Sequence, residues 1–347
     1  MTPEQLAEAI IAALDQAVAA GDVTVEVPRE VRVERPRSRE HGDWSTNVAL
    51  QLAKKAGVAP RDLATNLAAR LGEVPGIAAV DVAGPGFLNI TLDAASAGEL
   101  ARLIVEEGTA YGTNTTLAGR VINLEFVSAN PTGPLHIGHT RWAALGDAIH
   151  RLLTASGAEV TAEHYTNDAG NQMDLLGASI VARATGGPVP EGGYPGEYVV
   201  GLAEAVLAER PDLLDLPAEE RVAVARDVGY QHQVAQNQQT LTDFNVHFDV
   251  WFSERTLHDS GAVEQAVERL REQGHVFEHE GAIWLRTTDF GDDRDRVMIR
   301  ANGVPTYFAA DAAYYLSKKD RGFPEKIYLL GADHHGYIGR LKAIAAC

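Results

Sequence analysis

Apolar residues Leu6, Ile10, Leu14 and Ala17 recur at helical spacing behind Thr2 and Pro3, so the chain opens on a capped helix that Gly21 ends. Val23, Val25 and Val27, then Val31 and Val33, alternate with polar neighbours, the period of strands. Helical periods follow over residues 47–55 and 61–71, and strand patterns over 77–82 and 87–92 flank the turn Gly84-Pro85-Gly86. A helix over about 94–107 closes the unit. This mixed order predicts a small α+β domain over residues 1–112, with a linker near 108–119.

From Arg120 the pattern changes. A strand over 121–126, a turn-rich stretch over 128–134, a helix over 136–155 and a strand over 160–164 form a parallel crossover unit. The helix places Ile137, Leu145, Ile149, Leu152 and Leu153 on one side, and Gly157 stops it. The Gly/Pro cluster from Gly186 to Gly196, with Ala- and Gln-rich helical segments after it, reads as an insertion over about 186–290. A helix over 307–318 and a strand over 326–330 return to the earlier pattern. The second domain, 113–347, is therefore expected to be α/β, a Rossmann-like doubly wound parallel sheet carrying an insertion. There is no internal repeat and no low-complexity tract.

Composition narrows the context. With 347 residues, 45% hydrophobic and 22% charged, the chain has room for two compact domains. Its one cysteine, Cys347, excludes a disulfide framework and a cysteine zinc cluster. The first residues are acidic rather than basic, and no apolar run reaches the roughly 20 residues that span a bilayer. No membrane association and a cytoplasmic location are expected. The formal charge of −18 works against nucleic acid in general. Arg29, Arg32, Arg35, Arg37 and Arg39 form a local basic stretch, but Glu30, Glu34 and Glu40 interleave with it, as on a solvated face.

The most informative segment runs Glu125-Phe-Val-Ser-Ala-Asn-Pro-Thr-Gly-Pro-Leu-His136-Ile-Gly-His139, between the first strand of the second domain and its crossover helix. Ligands of open α/β sheets bind beyond the carboxyl ends of the strands, and a helix N-terminus offers free amides to phosphate. His136 and His139 add donors, and Gly138 lets a flat ring approach the backbone. The chemistry suggested is adenylyl transfer, dominated by positioning and by charge stabilisation at the α-phosphate. Taken alone, the two histidines could equally cap the helix or bind zinc. A carboxylate nucleophile, ionised at pH 7, needs no general base.

His-Ile-Gly-His in this setting resembles the first signature of class I aminoacyl-tRNA synthetases. Three further blocks resemble the arginyl family: Tyr165-Thr-Asn-Asp168-Ala-Gly170-Asn-Gln172, Gly303-Val-Pro-Thr-Tyr307-Phe-Ala-Ala-Asp311-Ala-Ala-Tyr314, and Gly331-Ala-Asp-His-His-Gly336. Near the N-terminus, Gly42-Asp-Trp-Ser-Thr-Asn47 and Gly84-Pro-Gly-Phe-Leu-Asn89 resemble that family's additional domain, which touches the elbow of transfer RNA.

The resemblance implies ATP (with Mg2+), arginine and tRNA(Arg) as substrates, no protein-bound metal, and a monomer. It implies that Glu125, Tyr307 and Asp311 face the substrate arginine, with Ser128 and Asn130 near its backbone. A planar guanidinium calls for such paired carboxylates. His136, Gly138, His139 and Gly133 would bind ATP, with the two histidines catalytic. Asp168, Gly170 and Gln172 would line the active site, although a turn needing Asn and Gly explains them too. Phe87 would stack on a base and Asn89 read one; as core and turn residues they need no RNA.

The sequence also departs from the family. His334 and His335 have no further ligand at metal spacing and read as polar loop residues, while relatives often carry glutamine where Asp333 stands. No Lys-Met-Ser-Lys-Ser loop follows, Ser317-Lys318-Lys319 is not a convincing substitute, and Gly133 occupies a position where some relatives use lysine. The chain is thus expected to be a truncated piece, nearly inactive in aminoacylation by itself and lacking the helical anticodon-reading domain. Two alternatives remain at this level: a small-molecule adenylyltransferase of the same superfamily, and a non-catalytic tRNA-binding relative.

Overall fold

The computed structural model describes residues 1–347 except Ala332, Asp333 and His335, and except the side chains of Arg39, Ser96, Ala97 and Glu99. It divides into two compact units, Met1–Gly112 and Thr113–Cys347.

In the first unit, α1 (Pro3–Ala19) begins in a reciprocal cap. Thr2 Oγ1 accepts from Gln5 N at 3.2 Å, and the Gln5 side chain accepts from Thr2 N at 2.9 Å. Strand β1 (Trp44–Thr46), helices α2 (Val48–Ala56) and α3 (Pro60–Leu71), strands β2 (Ile77–Ala83) and β3 (Phe87–Leu92), and helix α4 (Ala94–Glu107) follow. The sheet is antiparallel in the order β1-β3-β2. Leu6, Ile10, Leu14, Leu63, Leu67, Leu88 and Ile90 are fully buried between the helices and this sheet.

The valine alternation over residues 23–33 does not make strands. The segment is extended, with Val23, Val25, Val27, Val31 and Val33 leaning on the core, but its strand-type pairing among the described residues is limited to an isolated bridge from Glu34 to Ser45. Period-2 burial needs only an extended chain against a core. Strand formation also needs a paired edge, and Pro28 has no amide to give one. The short β1 carries too few residues to register as a periodic pattern.

The second unit contains β4 (Val121–Glu125), α5 (Ile137–Ala155), β5 (Glu159–Thr166), α6 (Asn171–Thr185), α7 (Tyr198–Glu209), α8 (Ala218–Asp243), β6 (Val250–Ser253), α9 (Arg255–Asp259), α10 (Ala262–Glu272), β7 (Val276–His279), β8 (Ala282–Leu285), β9 (Arg296–Ile299), α11 (Tyr307–Asp320), β10 (Glu325–Tyr328) and α12 (Tyr337–Ala346). A parallel sheet runs β10-β4-β5-β6, and a small antiparallel sheet runs β7-β8-β9. Among the described residues no helix is long and apolar enough to cross a membrane.

Two expectations change. The span 186–290 is not one inserted body. Helices α7 and α8 pack on α6 around Leu176, Ile180, Val199, Leu202 and Val206, but β6 pairs in parallel with β5 as a strand of the main sheet. The second change concerns α5, which does not bury the stripe expected of it. Ile137, Leu145 and Leu152 are exposed, and Ala143 and Gly146 face the sheet instead. The helix lies so close that a Cβ on Gly146 would stand 2.1 Å from Phe126 Cδ2. Small residues decide that face, and hydrophobicity alone does not reveal them.

Candidate functional site

The parallel strands step outward from β4 to β5 to β6, and the chain then returns to place β10 on the other side of β4. Such a reversal opens a crevice beyond the carboxyl ends of the strands. Each of the four strands contributes to a pocket of ≈ 200 Å³ there: Glu125 ends β4, Tyr165 lies at the end of β5, Glu254 follows β6 and Tyr328 ends β10. Tyr307, Asp311 and Tyr314 of α11 and Tyr337 of α12 complete its wall. Glu125 and Asp311, far apart in sequence, thus share one small cavity. Tyr307 is largely exposed at its rim.

The charges beneath this pocket are paired. Lys318, fully buried, donates to Glu125 Oε2 at 2.6 Å, and Ser128 Oγ donates to Glu125 Oε1 at 3.0 Å. Ser128 Oγ also accepts from Tyr165 N at 3.2 Å. Ser128 is brought there by a tight turn in which its amide donates to Phe126 O at 2.9 Å while Val127 takes φ 69°. That conformation is costly for a β-branched residue and holds only where its surroundings enforce it. Deeper still, Glu163 accepts the paired donors of Arg321 at 2.7 and 2.9 Å, the Tyr314 hydroxyl at 2.6 Å and Asn123 Nδ2 at 2.9 Å. Burial resists ionisation of Glu163, but the Arg321 fork, the Lys318 charge and the Tyr314 hydroxyl outweigh it and hold the carboxyl below its usual range.

Asp311 and Glu254 lack such compensation. Burial and then the charges of Glu254 and Glu125 push the Asp311 carboxyl up to about 7, with Arg340 pulling the other way. Burial likewise raises Glu254, against the Tyr165 hydroxyl and His258. A cavity in which carboxylates resist ionisation for want of a cation is one that a cationic side chain would relieve.

At the start of α5 the two histidines cap the helix reciprocally: His136 Nδ1 accepts from Gly138 N at 3.1 Å, and His139 Nδ1 accepts from His136 N at 3.1 Å. With both Nδ1 atoms accepting, each neutral ring carries its proton on Nε2, free to donate outward. Burial, then the neighbouring His136, lowers the His139 pKa and favours that neutral form. Gly138 has a local reason as well, since a Cβ there would stand 2.9 Å from His136 Cε1. Capping and phosphate donation are therefore compatible uses of the same rings. Gly133 is half-buried; its carbonyl accepts from Asn237 Nδ2 at 3.3 Å and a Cβ would meet the Tyr198 hydroxyl at 3.2 Å. Asn130 is exposed.

The block after β5 builds a second wall. Asp168 is buried and accepts from the Tyr230 hydroxyl at 2.7 Å, Ser253 Oγ at 2.6 Å and Arg255 N at 3.0 Å, tying β5 to α8 and β6. Gln172 Nε2 donates to Asn167 O, Asn167 Oδ1 and Ala169 O, and Gly170, at φ 85°, starts α6. Asp168 and Gly170 line a larger cleft of ≈ 770 Å³ with Arg226, Arg255, Arg300 and Tyr307. Gln172 shapes the loop from behind. His334 lines the small pocket; Asp333 and His335 lie outside the described residues.

Sequence reading missed Glu254, Lys318 and Glu163. A carboxylate directly after the apolar run Val250–Ser253 was a usable signal for Glu254, had that run been recognised as a strand of the main sheet. Lys318 and Glu163 gave no such signal, because their pairing depends on tertiary placement.

In the N-terminal unit, Phe87 and Asn89 line a cleft of ≈ 600 Å³ with Arg32, Arg35, Arg37 and His41. Phe87 is 41% exposed, and Asn89 Oδ1 accepts from Ser45 Oγ at 3.0 Å. Arg35 lies over the Trp44 ring at 4.8 Å.

The family model described as the arginyl tRNA synthetase N terminal domain matches residues 4–92, and that of the class I (R) tRNA synthetase catalytic domain matches residues 99–185. Arginine–tRNA ligases of Micrococcus luteus and Pseudarthrobacter chlorophenolicus are 67% and 66% identical over the whole chain. The chain belongs to the arginyl-tRNA synthetase family. It spans about 63% of the length of those two relatives. The structure of Thermus thermophilus arginyl-tRNA synthetase is similar at TM-score 0.59 and 26% identity, over 93% of this chain and 54% of that one. Members of this family share the Rossmann-like catalytic fold seen here.

Proposed function

We propose that the full-length protein is an arginine–tRNA ligase, which activates arginine with ATP and transfers it to tRNA(Arg). The observation that carries this reading is the pocket at the carboxyl edge of the sheet, where Glu125 and Asp311 line one cavity of ≈ 200 Å³. Arginine enters side chain first. Its guanidinium meets the acidic end with Tyr307 at the rim, and Ser128 and Asn130 lie towards the amino acid head group. ATP lies against the start of α5, its phosphates met by His136, His139 and the free amides near Gly138, with Gly133 in the preceding loop. Mg2+ enters on the nucleotide's phosphates.

In the first step an arginine carboxylate oxygen bonds to the α-phosphorus and pyrophosphate leaves. In the second, a hydroxyl of the terminal ribose of tRNA attacks the carbonyl carbon and AMP leaves. The neutral imidazoles donate Nε2–H to the phosphate oxygens as charge moves between them. The N-terminal unit contacts the tRNA through Phe87, Asn89 and the arginines of its cleft, a local exception to the net charge of −18 because screening limits distant charge to roughly 8 Å. The protein acts as a monomer in the cytoplasm.

The test is amino-acid-dependent exchange of pyrophosphate into ATP by the full-length protein, with and without tRNA(Arg). Exchange with arginine when tRNA is present supports the reading. Exchange driven by a different amino acid refutes it.

A further inference from the structure

We propose that Asn237 of α8, oriented by Gln233 and seconded by Tyr198 of α7, is a positioning residue that holds the loop before α5 in place for ATP. The inference rests on the nucleotide site proposed above and adds to it three side chains that lie outside every signature block.

The loop needs support from elsewhere. Residues 129–135 lead from the Val127–Ser128 turn to α5, and Pro131 and Pro134 have no amide to donate. Among the described residues no backbone–backbone hydrogen bond holds this stretch. Two of its carbonyls are met instead by side chains from far along the chain. The Tyr198 hydroxyl donates to Thr132 O at 2.8 Å, and Asn237 Nδ2 donates to Gly133 O at 3.3 Å. Thr132 is buried and Gly133 half-buried, so losing either donor leaves a shielded carbonyl short of a partner.

The direction of the second bond follows from its chemistry. A carbonyl only accepts, so Asn237 turns Nδ2 towards Gly133 and leaves Oδ1 facing the other way. There Gln233, four residues earlier on the same helix, donates from Nε2 to Asn237 Oδ1 at 3.0 Å. Both side chains are buried, Gln233 completely. They interrupt a stripe of buried positions at steps of four, Ala225, Gly229, Gln233, Asn237 and Leu241, whose other members carry no polar side chain. An amide pair in such a stripe costs desolvation that an apolar pair avoids. What the amides add is a donor aimed at the loop that leads into His136.

The arginine side of the same segment has its own anchors. Ser128 is fixed by its hydrogen bonds to Glu125 Oε1, Tyr165 N and Phe126 O. Releasing the carbonyls of Thr132 and Gly133 therefore disturbs Gly133 and the start of α5, which face the nucleotide, and leaves the residues that face arginine in place.

The test is steady-state, arginine-dependent exchange of pyrophosphate into ATP by the full-length protein with tRNA(Arg) present, comparing wild type, Asn237→Leu, Tyr198→Phe and His136→Ala. Leu keeps the volume of Asn237 and removes its hydrogen bonds; Phe keeps the Tyr198 ring and removes only the hydroxyl. A merely structural role would disturb both substrates together. Positioning predicts that Asn237→Leu raises the KM for ATP about fivefold or more while the KM for arginine changes less than about twofold. A smaller rise for ATP, or a rise for arginine of about twofold or more alongside it, overturns the inference. Should Asn237→Leu fail to fold, Tyr198→Phe decides on the same pattern, with a threshold of about threefold for ATP. If His136→Ala cripples exchange while neither loop-anchor variant raises the KM for ATP, the nucleotide site stands and only the role of Asn237 falls. Exchange at the wild-type level in His136→Ala overturns the nucleotide site itself.

Discussion

Lys318 Nζ lies 2.6 Å from Glu125 Oε2, and the lysine side chain is entirely shielded from solvent. The pair sits at the end of the central strand β4, under the pocket, and it sets how much of the local negative charge remains for a ligand. Removing one partner of such a pair leaves an uncompensated charge in a low-dielectric surrounding. Lys318→Met is expected to destabilise the protein by about 3–5 kcal/mol. Adding Glu125→Gln to it should recover part of that loss. Urea unfolding of the single and double variants measures the effect.

Asp311 gives a pH dependence of opposite sign to ordinary acid unfolding. Its folded pKa is raised, from 3.8 to about 7, so the folded protein holds a proton that the unfolded chain releases. The stability contribution is fully present below about pH 4 and is lost as pH rises towards 7. Asp311→Asn should therefore stabilise the empty protein above pH 7, by on the order of 2–4 kcal/mol, and have little effect near pH 4. It should also abolish arginine binding. Near pH 7 arginine binding by the wild type should expel roughly half a proton, measurable as a dependence of binding enthalpy on the ionisation enthalpy of the buffer.

Much of this site was legible in the sequence because its residues flank ends of elements. Glu125 closes a strand, His136 and His139 open a helix, and Gly170 needs the left-handed φ at the start of α6. What was not legible depends on distant packing. Lys318 stands in a polar Ser-Lys-Lys run that carries no sign of burial, yet it points inward because Glu125 and Glu163 lie beneath α11. Glu254 was hidden by a strand of four residues within a span read as an insertion. The face of α5 was misread for a related reason, because contact with Phe126 selects the smallest side chain and not the most apolar one.

That contact makes its own prediction. A methyl at position 146 would overlap the Phe126 ring, which stands directly before the Val127–Ser128 turn. Gly146→Ala is expected to cost about 1–3 kcal/mol through overpacking, despite the better helix propensity of alanine. Because the turn positions Ser128 against Glu125, the KM for arginine should rise with it. Thermal unfolding and steady-state kinetics on the same preparation check both effects.

The N-terminal unit is predicted to act independently of the chemistry at the catalytic pocket. Phe87 is too exposed to carry much of the core, so Phe87→Ala should change stability by less than about 1 kcal/mol. Loss of a stacked base is worth about 1–3 kcal/mol, so tRNA affinity should fall roughly fivefold or more while arginine affinity is unchanged. Filter binding of tRNA(Arg) and calorimetry with arginine separate the two.

The central claim is that the cavity at the carboxyl ends of the four parallel strands receives a guanidinium. A crystal structure of the full-length protein with L-arginine bound tests it most directly. The account predicts the guanidinium within hydrogen-bond distance of Asp311, inside the cavity lined by Glu125 and Glu254. Arginine seated instead in the larger cleft among Arg226, Arg255 and Arg300, with the acidic cavity empty, would contradict it.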